Sequence, residues 1–136
     1  MITQKYINAL AYKIVGNAIE VHKNLGPGLL ESVYETCLIK EISDSGLIVQ
    51  SQLCVPIKYK NRNLGGSLKL DLLVNDLIIL ELKAIDVMIP LFTAQLLSYL
   101  KLTGKPKWLL INFHCENIIE QMVPLVTEEF SKLPRS

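Results

Sequence analysis

The chain lacks an excess of charge of either sign: 14 Lys and Arg face 13 Asp and Glu, leaving a formal +1. Without an overall basic footprint, contact with a polyanion has to come from local patches and bound metal. Cysteine is scarce as well. Cys37, Cys54 and Cys115 are odd in number, widely spaced and without a CxxC pair, which argues against a disulfide framework or a zinc knuckle and for buried free thiols. No apolar run is long enough to cross a bilayer, and the N-terminus lacks a basic stretch followed by an apolar one. A soluble protein in a reducing, cytoplasmic setting is expected, with no membrane contact. Repeats, low-complexity segments and linkers are missing too, so residues 1–136 are expected to form one domain.

What is present is apolar: half of the 136 residues are hydrophobic and 20% are charged, enough to bury a core. Ile7, Leu10, Ile14, Ala18 and Val21 recur at helical spacing and predict a helix over 3–24, capped by Thr3 and stopped by "LGPG". A second helix is expected to begin between Pro27 and Leu30 and to end before Gly46. Val49, Leu53, Val55, Ile57 and Tyr59 then follow a period of two, with Pro56 marking an edge strand. "KNRNLGG" at 60–66 reads as a loop, and strands are expected near 67–74, 77–84 and 107–113, with a helix over 93–104 before the last. "IIEQMVPLV" fits strand or helix, Pro124 favouring an edge strand. The order α-α-β-β-β-α-β, with a further strand, implies an α/β fold with a mixed sheet.

The stretch "LDLLVNDLIILELK" poses a register problem, because Asp71, Glu81 and Lys83 interrupt a run that is otherwise all core. A two-residue turn at Asn75 and Asp76 would pair positions summing to 151 and set Glu81 among leucines, costing several kcal/mol unless it is paired or protonated. A three-residue loop, Asn75 to Leu77, pairs positions summing to 152 and sorts the side chains by face. Leu68, Leu70, Leu72, Val74, Ile78, Leu80 and Leu82 then form one apolar face. The other carries Leu73 and Ile79, with Asp71 opposite Glu81 and Lys69 opposite Lys83. Opposed like charges are unfavourable and call for compensation. A divalent cation between the carboxylates and a phosphate near the lysines would supply it; a solvated or salt-bridged end of a half-exposed sheet is the other reading.

Two helical pairs converge on this hairpin. Gln95 and Tyr99 lie four apart, and Glu31 and Tyr34 three apart, so each pair shares a face, and Gly28 one turn before Glu31 admits a close neighbour. "GLLESVY" at 28–34 fits a Gly-x-x-Glu-x-x-Tyr signature, while Asp71, Glu81-Leu82-Lys83 and Gln95-Leu-Leu-Ser-Tyr99 match the motifs of the PD-(D/E)XK nuclease superfamily. Over roughly residues 12 to 125 the chain resembles the small GxxExxY proteins of that superfamily.

That resemblance implies a restriction-endonuclease-like core and metal-dependent hydrolysis of DNA. It implies that Asp71, Glu81 and the Leu82 backbone carbonyl hold Mg2+ or Mn2+, and that Glu31, Lys83 and Gln95 are catalytic. Tyr34 and Tyr99 would support the site or touch substrate, and Lys69 would meet phosphate. The family pattern often places arginine where this chain has Lys69, which keeps the charge without the bidentate fork. His22, at a helix end, is not assigned to catalysis. A catalytically silent module that binds a nucleic-acid end or a partner protein is the alternative, and the apolar "VMIPLF" at 87–92 is a candidate homodimer surface.

Overall fold

The computed structural model describes residues 1–86 and 90–136, and the side chains of all of these but 57, 58, 64, 66, 68, 91–93, 95, 96, 99 and 100. Helix α1 (Gln4–Leu25) opens on Thr3, whose Oγ1 accepts from the Tyr6 N–H at 3.0 Å, and it buries Ile7, Leu10, Ile14, Ala18 and Val21 as its spacing predicts. Helix α2 spans Glu31–Asp44. Pro27 does not start it, a correction to the expectation. Gly26 and Gly28 both take positive φ, so the chain must first turn, and the first helical residue is Glu31 itself.

Strands β1 (Val49–Tyr59), β2 (Arg62–Val74), β3 (Ile78–Lys83), β4 (Lys107–Asn112) and β5 (Met122–Val126) form one sheet in that order. Helix α3 (Pro90–Thr103) links β3 to β4, which run parallel; the other neighbours are antiparallel. A short 3-10 turn (Ile119–Gln121) precedes β5, and a four-residue helix, α4 (Glu128–Ser131), follows it. β1 and β5 are the edges and carry Pro56 and Pro124, whose missing N–H groups an edge tolerates. This is the mixed α/β sheet flanked by helices that the sequence pattern implied. No helix among the described residues is long and apolar enough to cross a membrane.

Residues 60–66 are not a loop. Lys60 and Asn61 both adopt left-handed φ, the geometry of a two-residue hairpin turn, and Tyr59 already pairs with Arg62. The turn between β2 and β3 is the three-residue one: Leu72 pairs with Leu80, Leu73 with Ile79 and Val74 with Ile78, all summing to 152. The Leu77 N–H closes it on the Val74 carbonyl, and Asn75 ties it to Ile48 through backbone and side chain.

Two apolar clusters sandwich the sheet. The larger joins α1 and α2 to Leu72, Val74, Ile78, Leu80, Leu82, Leu109, Ile111 and Phe113. The smaller gathers Leu70, Leu73, Ile79, Trp108 and Leu110, with Leu53, Val55, Val123 and Leu125 against them. Leu70 therefore leaves the face expected for it. The cause lies across the ladder: Gln52 takes φ +52°, the Ser51–Leu72 and Leu53–Leu70 pairs flank it, and β1 and β2 change face together at Gln52 and Asp71.

Candidate functional site

The β2–β3 ladder stops at Leu72–Leu80. By alternation, the Leu82 N–H would next meet the Leu70 carbonyl. Instead Asp71 Oδ2 accepts it at 2.8 Å, so the carboxylate sits in the gap between two strands that have parted. The Lys83 carbonyl faces the other way and accepts from the Phe113 N–H at 2.9 Å. Successive residues of a strand alternate in this respect, which turns the Leu82 carbonyl to the same side as its N–H, toward Asp71.

The Glu81 and Asp71 carboxyls lie within hydrogen-bonding reach of each other. Desolvation first, then the Asp71 charge, pushes the Glu81 carboxyl up to about 8, with Lys83 acting in opposition and Glu31 adding a smaller push, which favours a proton on Glu81. Glu31 is raised too, by partial desolvation and then by Asp71, again opposed by Lys83. Glu31, Asp71, Glu81 and Lys83 thus come together from three elements, α2, β2 and β3.

Tyr34 explains how Glu31 arrives there. Its ring is fully buried and stacks on Phe113, centroids 4.6 Å apart and planes within 10°. Its hydroxyl donates to the Gly26 carbonyl at 2.6 Å and accepts from the Leu29 N–H at 3.1 Å. The phenol pins the glycine turn on which α2 begins, while Phe113 is bonded to Lys83. A chain of contacts therefore fixes Glu31 relative to β3, and Tyr34 has no surface left for a ligand.

Lys69 does not face Lys83. It is exposed and pairs with Cys54 of β1, while the β2–β3 register ends before it at Leu72–Leu80. The Gln95 and Tyr99 side chains lie outside the described residues, as do those of the 87–92 stretch other than Pro90. His22 donates through Nε2 to the Cys115 carbonyl at 2.7 Å, a structural bond.

Three residues were missed. Gln52 donates to Glu35 Oε1 at 2.6 Å, tying the left-handed residue of β1 to α2, and Glu35 contributes to the raised carboxyl of Glu31. Asn112 lies fully buried beside Lys83. Signals existed: Gln50-Ser51-Gln52 breaks the period of two, and Asn112 is the lone amide in "WLLINF".

The donor set consists of hard oxygens, two of them close enough to share a proton, which fits a small divalent cation. Among the described residues no group of three or more His, Cys, Asp and Glu side chains is gathered to hold a metal. Such an ion would take its remaining ligands from water, carbonyl or substrate oxygens, as magnesium ordinarily does.

No curated protein and no solved structure gives a significant match to this chain. The family model of the PD-(D/E)XK nuclease superfamily matches residues 8–123, which contain every residue of the carboxylate cluster. On that match, the chain belongs to the PD-(D/E)XK nuclease superfamily.

Proposed function

We propose that the protein hydrolyses phosphodiester bonds of DNA with Mg2+ or Mn2+, the carboxylate pair Asp71 and Glu81 holding the ion with the Leu82 carbonyl. One observation carries this reading: two carboxyls brought within reach of each other at the point where β2 and β3 part, with an amine and a third carboxyl near enough to act on their charge. Such a site holds one proton too many or one cation too few. A bound divalent ion would supply Lewis acidity and neutralise charge built up on the phosphoryl oxygens. Lys83 steadies the phosphate oxygens and orients the attacking water, and Glu31 accepts a hydrogen bond from that water. Gln95, carried on α3, holds Lys83 or the water. Lys69, exposed on β2, meets the backbone of the substrate at a distance from the reacting bond.

The test is cleavage of single- and double-stranded DNA by the purified protein with magnesium or manganese. Metal-dependent nicking that vanishes in Asp71→Ala and Lys83→Ala, with both variants folded, supports the proposal. A wild type that cuts neither substrate overturns it. The near-neutral charge favours the silent binding module as the second reading. Calorimetric titration with manganese separates the two, since wild-type binding that is lost in Glu81→Ala is expected of the enzyme and not of an idle site.

A further inference from the structure

Between Lys107 at its start and Asn112 at its end, strand β4 is wholly apolar. Asn112 is the one side-chain amide among the described residues with no exposure at all, and each of its polar atoms has a use. Oδ1 accepts from the Ile85 N–H at 3.1 Å and from the His114 N–H at 3.2 Å; Nδ2 donates to the Ile85 carbonyl at 2.9 Å and to Gln121 Oε1 at 3.4 Å. The amide thus imitates a strand: it offers Ile85 both an acceptor and a donor just where β3 has ended at Lys83.

The placement matters because the parallel ladder also ends there. Lys83 pairs with Asn112, and the Phe113 N–H bonds the Lys83 carbonyl at 2.9 Å. One residue further the chain turns away from the sheet. Without the amide, the Ile85 N–H and carbonyl would lose the partners described for them, and the segment on the far side of Lys83 would be left with the exposed His114–Asp86 contact. A buried leucine would fill the same space as well and pack better, so packing does not explain the choice of an amide.

We propose that Asn112 is a positioning residue: its buried amide clamps the chain immediately beyond β3 and so sets the direction in which Lys83 is presented to Asp71, Glu81 and Glu31. The catalytic part of this inference rests on the nuclease reading; the clamp itself does not. The same clamp orders the His114 backbone, and His114 Nε2 lies 2.8 Å from Asp86 Oδ1, so the segment beyond β3 is tied to β4 twice.

Asn112→Asp keeps the shape and the acceptor but replaces the donor to the Ile85 carbonyl. It is expected to lower kcat for metal-dependent cleavage about 10- to 100-fold, the usual cost of losing a supporting contact, with KM within about twofold. The same variant should speed hydrogen exchange at the Ile85 amide and move the NMR signals of the Lys83 side chain in the metal-free protein. Ile42→Val, a core change in α2, serves as the control for simple loss of stability. Should Asn112→Asp not fold, Asn112→Ser, which shortens the side chain and removes the amide donor without touching the Ile85 backbone, takes its place.

Movement of the Lys83 signals in the clamp variant and not in the control supports the proposal. Equal movement in both, no movement in either, or a wild-type kcat despite an unprotected Ile85 overturns it. A wild type that fails to cleave DNA ends the nuclease reading alone, and the positioning claim then stands or falls on the Lys83 signals.

Discussion

The two ends of the β2–β3 pair follow opposite rules. Near the turn, Leu72, Leu73, Val74, Ile78, Ile79 and Leu80 pair in unbroken register, and each is at most 4% exposed. Past Leu72 the strands part, and the space between them is filled by a carboxylate that takes a backbone N–H from the opposite strand. The paired end is held by burial and ladder bonds, and the open end by a polar contact that a simple sheet would not need. Charges that would be ruinous in the first region are admitted in the second because the ladder has already ended. The difference teaches where to look for chemistry in an apolar hairpin: at the residue where pairing stops, rather than at the turn.

Substitutions can break this contrast, and the largest effect belongs to the open end. Replacing Lys83 by alanine should cut metal-dependent cleavage by about 10²- to 10³-fold or more, measured as the initial rate of nicking of supercoiled plasmid, while thermal unfolding stays close to wild type. A large fall in melting temperature instead would make the open end structural.

Glu81→Gln sharpens the same point through pH. The Glu81 carboxyl titrates near 8 in the fold against an ordinary 4.5, so the native state keeps a proton that the unfolded chain releases. Its contribution is therefore fully present below pH 4.5 and drains away as pH rises through about 8. Metal-free protein should lose of the order of several kcal/mol over that window by denaturant titration, and Glu81→Gln should flatten the slope. Divalent cation should reverse the trend by displacing the proton, which a pH-stat would record as acid release.

At the paired end, Leu72→Ala should cost about 2–5 kcal/mol by denaturant titration, the usual penalty for a void in a fully buried leucine site. Tyr34→Phe should cost about 1–3 kcal/mol, because it strands the Gly26 carbonyl and the Leu29 N–H in a partly buried turn. Smallest of all, Lys69→Ala should change stability by less than about 0.5 kcal/mol, as befits an exposed side chain away from the gap.

Much of this was legible in the sequence, for identifiable reasons. Parity chose the three-residue turn over the two-residue one, which would bury Glu81 among leucines. Thr3, Gly46 and Gly104 marked helix ends through capping and left-handed backbone. What escaped detection depended on single backbone torsions. Asn61 suits a left-handed position but Lys60 does not announce one, so a tight turn read as a long loop. Gln52 hid the change of face by the same means, and with it the move of Leu70 into the second cluster. The gathering of Glu31 with the strand carboxylates was suggested by motif spacing, but its physical support, the Tyr34 hydroxyl on the glycine turn and the stack on Phe113, needed three dimensions.

The left-handed residue at Gln52 has a consequence for how disturbance spreads. Because β1 and β2 exchange faces there, Asp71 stands at the joint between the two hydrophobic layers rather than inside either. A void on the helix-covered side and a void around Trp108 would both reach the carboxylates through that joint. Core variants remote from any charge should therefore weaken cation binding from either side of the sheet, an unusual reach for a cluster built on two strands.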